Sequence, residues 1–178
     1  MTSASVVRPA TPHDEIELWR MMRLHWAENA LFPMSEHKVK FYLDRILHPE
    51  WIGAEDTGPR GLAGVIGPSH SLEGAIILIL GSPWYSDAVN MDDCMNFVDP
   101  KHRHSDHAKV LISYSKYLVD QIRQGHPTFK MVLGVVSTER TAAKVRLYSR
   151  YLEEPVGAYF MYPRGDDVKP LKNMHRIN

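Results

Sequence analysis

A chain of 178 residues, 44% of them hydrophobic, is the size of one ordinary domain and holds enough apolar material for one substantial core. Lys plus Arg and Asp plus Glu are equal at 21 each, so no net basic field exists to hold nucleic acid or anionic lipid by charge, and small or neutral partners are favoured. The only cysteine, Cys94, excludes an intrachain disulfide framework, and with no leader-like start and no apolar run of roughly 18–20 residues the expectation is a cytoplasmic protein without a membrane span.

In chain order, Ser5 to Ala10 reads as a short strand, and Thr11-Pro12 with Asp14 in the first turn predicts a helix running to about Glu28, with Leu18, Met22 and Trp26 as its apolar stripe. Ser35 caps a second predicted helix, whose Val39, Tyr42, Leu43, Ile46 and Leu47 recur at helical spacing until His48-Pro49. Gly61–Ile66 and Gly74–Leu80 are predicted strands, the second so continuously apolar that it needs cover on both faces and marks the sheet centre. A loop with Trp84 and Tyr85 follows, then a short strand over Cys94–Val98 closed by Asp99-Pro100. Val110, Leu111, Tyr114, Tyr117, Leu118 and Ile122 mark a third helix ending at Gly125-His126-Pro127. Met131–Val136 is a further strand, Thr138 a cap, and Ala142, Val145, Tyr148 and Leu152 the inward face of a fourth helix. Val156–Tyr162 is the last predicted strand, residues 1–164 form the expected domain, and 165–178 read as a polar tail.

This order of elements over roughly residues 5–163 resembles the GNAT acyltransferase fold. The residues at the fold's functional turn carry the resemblance further. GNAT proteins place Val-x-Pro before a Gln/Arg-x-x-Gly-x-Gly/Ala loop, and here Val98-Asp99-Pro100 precedes Arg103-His104-Ser105-Asp106-His107-Ala108. Such a loop gathers backbone N–H groups and the positive end of a helix dipole around a pyrophosphate. The resemblance implies an α/β fold with a mixed, mostly antiparallel central sheet flanked by about four helices. It also implies acetyl-CoA or another acyl-CoA as co-substrate and an amine acceptor, small molecule or protein. Homodimers are common in the family, and no metal is expected.

By the same resemblance, Phe97 and Val98 would offer strand backbone to the pantetheine, and Arg103, His104, Ser105, Asp106, His107, Ala108 and Lys109 would cradle the pyrophosphate, with Thr141 where many members have asparagine. Tyr148 would protonate the departing thiolate, and one of Asp92 and Asp93 would take the amine's proton, because adjacent strand residues alternate faces. Trp84 and Tyr85 would line the acceptor pocket. The row Arg140, Lys144, Arg146 and Arg150 could meet the adenosine phosphate but reads mostly as a solvated helix face.

Two departures are plain in the residues. Asp106 stands where the loop's first glycine belongs, and its charge at about 5 Å from a pyrophosphate costs about 1–3 kcal/mol per unit charge, unless Asp106 turns back to cap the helix. The usual Gly-Phe after the tyrosine helix is replaced by Arg150-Tyr151-Leu152, which predicts a shortened sheet end. Two alternatives therefore stand beside direct acyl transfer. One is a catalytically degenerate GNAT-shaped binding or regulatory protein. The other is a zinc hydrolase, because His102, His104, Asp106 and His107 also spell His-x-His-x-Asp-His, the metal signature of metallo-β-lactamase-fold enzymes. That family needs downstream histidines, and none occurs between His126 and His175.

Overall fold

The computed structural model describes residues 6–53, 55–135, 137 and 140–157. Its elements are β1 (Arg8–Pro9), α1 (Glu15–Asn29), α2 (Glu36–Leu47), β2 (Arg60–Ile66), β3 (Gly74–Gly81), β4 (Asn90–Val98), α3 (His107–Arg123), β5 (Lys130–Val132) and α4 (Thr141–Tyr151). The five strands form one sheet in the order β1-β2-β3-β4-β5, antiparallel throughout except for the parallel pair β4 and β5. A parallel neighbour needs a crossover, and α3 supplies it. No helix among the described residues is long and apolar enough to cross a membrane.

β3 behaves as its apolar run requires. Ala75 and Ile77 pack with Leu18 and Met21 of α1 and Leu43 and Leu47 of α2, while Ile76 and Leu78 pack with Leu111 and Val119 of α3. Each buried Leu, Ile, Met or Val contributes about 1.5–3 kcal/mol by leaving water, so the two cores hold the sheet from both sides. Where α3 crosses β2, Gly64 is obligatory, since an added Cβ would lie 2.5 Å from the Tyr114 ring. At the chain's start Arg8 grips the fully buried Asp14 through two hydrogen bonds of 2.7 and 2.8 Å, and Thr11 N–H donates to the same carboxylate. Burial opposes that charge, but Arg8 and Thr11 outweigh it and hold the carboxyl well below the usual carboxylate range.

Several element bounds differ from the sequence expectation. β4 begins at Asn90, four residues before Cys94, because Asn90, Met91, Asp92 and Asp93 pair with Gly81, Leu80, Ile79 and Leu78 despite their weak strand propensity. β5 covers Lys130–Val132 rather than Met131–Val136, and Val136 lies outside the described residues. The first strand shrinks to Arg8–Pro9. Arg140, not Thr138, occupies the N-cap of α4, and Thr138 lies outside the described residues. Of the predicted strand Val156–Tyr162, Val156 and Gly157 are not in a strand, and the remainder lies outside the described residues, as does the tail from 165.

Candidate functional site

β4 and β5 pair over only three residues, Asn90–Asp92 with Lys130–Val132, and then part. From Asp93 to Val98 the β5 side of β4 has no strand partner among the described residues. A cleft of about 420 Å³ opens at this fork, within the size range of small-molecule sites. Asp93, Cys94 and Asn96 of β4, Gly134, His25 and Asn29 of α1, Phe32, and Lys144 and Tyr148 of α4 line it.

A bulge in β4 decides which side chains face one another. Ile77 pairs with Met95 and Leu78 with Asp93, so Cys94 is an extra residue opposite no partner. Ile76 pairs with Asn96, and Ile76 and Leu78 point to one face, so the bulge places Asp93 and Asn96 on the same face. An unbroken strand would have set them on opposite faces. Asp92 pairs with Ile79 on the other face and accepts a hydrogen bond from Asn90 Nδ2 at 2.7 Å, so Asp93 alone of the two acids enters the cleft.

The cleft perturbs every titratable group in it. Burial pushes the Asp93 carboxyl up to about 6; the Gly134 N–H, donating to Oδ1 at 2.7 Å, and the Lys144 charge partly offset it, while Asp92 adds to the rise. Burial likewise raises the Tyr148 phenol, helped by the Asp93 charge and opposed by Asn96, which keeps it protonated at neutral pH. Lys144 is lowered by burial, against the pull of Glu28 and Asp93, and donates to Asn29 Oδ1 at 2.7 Å. His25, edge-on to Phe97, is brought down to about 4 by burial and by Lys144, so its imidazole is neutral. The Cys94 thiol is pushed up to about 12 by desolvation, then by Asp93 and Asp92, so it is no thiolate nucleophile. The cleft thus holds a carboxylate able to accept a proton near neutral pH and a phenol able to donate one.

The segment after β4 turns through a short 3-10 helix, Pro100–His102, before α3 starts at His107. Asp99 organises it: Oδ1 accepts from Lys101 N–H at 2.9 Å and Oδ2 from Arg20 at 2.6 Å. Ser105 Oγ donates to His102 O at 2.6 Å and accepts from His107 N–H. Asp106 sits at the N-cap of α3, exposed, but its side chain makes no capping bond, so the predicted turn-back onto the helix does not occur. Asp106 therefore leaves the first-turn amides of α3 without a carboxylate cap, and only the His107 N–H is taken, by Ser105 Oγ.

Other expected residues are held by protein partners. Arg103 pairs with Glu28 of α1 and lies over the Phe97 ring, and Lys109 Nζ lies 5.8 Å from the centre of the Tyr151 ring. Phe97 is buried in the core, so β4 offers a ligand its backbone there and not this ring. His104 is exposed, Ala108 half-buried and His107 buried. Thr141 opens α4 and donates from Oγ1 to Ser137 O at 2.7 Å. Trp84 and Tyr85 are 96% and 74% exposed, pack edge-to-face on each other, and do not line the cleft. His25, Asn29, Asn96 and Gly134 went unsuspected in the sequence, and Lys144, read there as part of a solvated basic row, turns into the cleft.

Neither a protein-family model nor a curated protein matches this sequence. Solved structures do. A possible acetyltransferase from Clostridium difficile 630 superposes with a TM-score of 0.63 at 16% identity, covering 90% of this chain and 97% of that one. A ribosomal-protein-alanine N-acetyltransferase from Brucella melitensis biovar Abortus 2308 gives 0.59 at 15%, with 90% and 97% covered. AAC(6')-Iy, solved in complex with the bisubstrate analog CoA-S-monomethyl-acetylneamine, gives 0.60 at 14%, with 92% and 99% covered. With its sheet order, its forked β4 and β5 and these likenesses over nine-tenths of its length, the chain has the fold of the GNAT acetyltransferases.

Proposed function

We propose that the protein transfers an acyl group from acyl-CoA directly to an amine in the cleft between β4 and β5. The observation that carries this reading is the pairing of Asp93 and Tyr148 in one cleft, a proton acceptor raised toward neutrality beside a phenol kept protonated. The residues around the cleft suit the co-substrate: β4 from Asp93 to Val98 has no strand partner on its β5 side among the described residues, leaving backbone for the amide groups of a pantetheine arm, and the first turn of α3 would receive the pyrophosphate. Acyl-CoA supplies the activated thioester. Asp93 takes the proton from the attacking amine as the nitrogen–carbonyl bond forms, and Tyr148 donates its phenolic proton to sulfur as the carbon–sulfur bond breaks. Asn96 and the Gly134 N–H fix these two groups, and Cys94 takes no covalent part. The test is amine-dependent release of free CoA thiol with a panel of amines, in the unmodified protein and in Asp93→Asn and Tyr148→Phe. Thiol release lost in both variants supports the reading, and release unaffected by either removes it.

A second reading rests on Arg103, which is engaged by Glu28, and on Asp106, which adds negative charge beside the first turn of α3. Both weaken a pyrophosphate site, as in a GNAT-shaped module that binds without transferring. Acyl-CoA binding with no thiol release across the amine panel would favour that module.

A further inference from the structure

Glu73, in the turn that leads into β3, receives two imidazoles from the segment after β4. His107 Nε2 lies 2.7 Å from Glu73 Oε2, and His102 Nδ1 lies 3.5 Å from the same oxygen. The two rings are nearly parallel, 21° apart with centres separated by 6.0 Å, and the three ligating atoms all fall within 4.8 Å of one another. We infer that Glu73, His102 and His107 form a binding site for a divalent transition metal of zinc type, independent of any acyl transfer.

The backbone fixes each donor before a metal arrives. Glu73 N–H donates to Ile66 O, and Glu73 O accepts from Asp99 N–H, both at 2.9 Å, so the turn is stitched to the loop at the ligand residue itself. His102 ends the 3-10 turn, with its N–H on Asp99 O at 2.8 Å, and His107 is the first residue of α3 with a side chain only 7% exposed. Two imidazoles and one carboxylate are a mixed nitrogen and oxygen set that suits Zn²⁺. Metal–ligand bonds of about 2.0–2.2 Å hold tetrahedral ligand atoms roughly 3.3–3.5 Å apart, so the close His107–Glu73 pair must open and the wider spacing close by about 1 Å, within the reach of side-chain rotation. Side-chain exposures of 38% for His102 and 32% for Glu73 leave the remaining coordination position open to water. The metal would take the place of the His107–Glu73 hydrogen bond, so each of these two side chains exchanges one partner for another.

This set is not His-x-His-x-Asp-His. Asp106 is exposed and His104 lies outside the cluster, while Glu73 comes from far upstream in the chain. A bound divalent ion would place positive charge at the N-terminus of α3 and tether the loop to the turn before β3.

The experiment is calorimetric titration of the chelator-treated full chain with zinc, with visible absorption of the cobalt(II)-loaded protein as second readout. One-to-one binding at micromolar affinity or tighter is expected, with the tetrahedral cobalt bands. His102→Ala, at a partly exposed position, and Glu73→Gln should each weaken binding by about 100-fold or more, since even outer-shell changes cost 10–100-fold. His104→Ala and Asp106→Asn should leave it intact. Absence of one-to-one binding, or affinity that survives both His102→Ala and Glu73→Gln as scattered surface histidines would give, overturns the inference. So does equal loss in His104→Ala.

Discussion

Asp93 Oδ1 accepts a hydrogen bond from Gly134 N–H at 2.7 Å, across the fork where β4 and β5 have ceased to pair. The bond holds one carboxylate oxygen against the backbone and leaves the carboxyl raised to about 6 by burial. A proton acceptor at that value is roughly nine-tenths ionised at pH 7. Turnover with acetyl-CoA and a saturating amine should therefore fall about tenfold for each pH unit below 6. A profile flat from pH 7 down to pH 5 would take the proton-accepting role away from Asp93.

The same raised carboxyl predicts a stability cost. A folded value above the unfolded one contributes stability that is present below about pH 4 and is lost as pH rises through about 6. At pH 8 the charged form must be kept in a poorly solvated cleft. Asp93→Asn keeps an oxygen for the Gly134 N–H and removes that charge, so it should stabilise by about 1–3 kcal/mol at pH 8 and by much less at pH 4, while abolishing turnover. Thermal unfolding of both proteins at the two pH values checks this. A variant equally destabilised at both would mean the carboxylate is structural.

Tyr148 lies one helical turn beyond Lys144 on α4, both facing the cleft. Tyr148→Phe keeps the ring and deletes only the proton donor. It should lower kcat about 10²–10⁴-fold with acyl-CoA affinity within about twofold, as for other general acids. Loss of affinity in step with kcat would instead make the hydroxyl a binding group.

Asp14 offers a test of the scaffold. Its carboxylate is fully buried while Arg8 stays 35% exposed, so removing the arginine strands the buried charge, and Arg8→Ala should cost about 3–5 kcal/mol. Because the folded carboxyl is held low, its contribution is present above the unfolded value of about 4 and is lost as pH falls below it. The difference in denaturant midpoint between the two proteins should therefore narrow in acid.

The helices and the central strand were legible because their signals are long and periodic. Leu43 and Leu47 recur at helical spacing, and the unbroken run from Ala75 to Leu80 admits only a strand covered on both faces. The start of β4 was not legible, since Asn90, Asp92 and Asp93 have turn composition and are strand only through pairing with β3. Of the site, Tyr148 and the choice between Asp92 and Asp93 were visible, but the choice itself depends on the bulge at Cys94, which one sequence does not reveal. His25, Asn29 and Lys144 come from helices more than a hundred positions apart at their extremes, and only the folded chain brings Lys144 to Asn29. The spacing of His102, His104 and His107 marks them as candidate ligands in the sequence, but the proximity of Glu73 to His102 and His107 is visible only in three dimensions.

Asp106 decides how well the loop before α3 can receive an anion. Its backbone, at φ −91° and ψ 13°, is open to any residue, and its side chain makes no capping bond, so Asp106→Gly should cost about 0.3–1 kcal/mol through the lost charge at the helix N-terminus and roughly as much through the greater backbone freedom of glycine in the unfolded chain. Removing repulsion of about 1–3 kcal/mol against a pyrophosphate should tighten CoA binding roughly 5- to 150-fold. Asp106→Asn, which keeps the shape, should give most of the same gain, and the gain should shrink in high salt because the site is exposed. Isothermal titration with CoA and with dephosphorylated pantetheine separates the contributions: the gain must appear with CoA and not with pantetheine. A gain with both ligands, or with neither, would mean that the N-terminus of α3 does not receive the pyrophosphate.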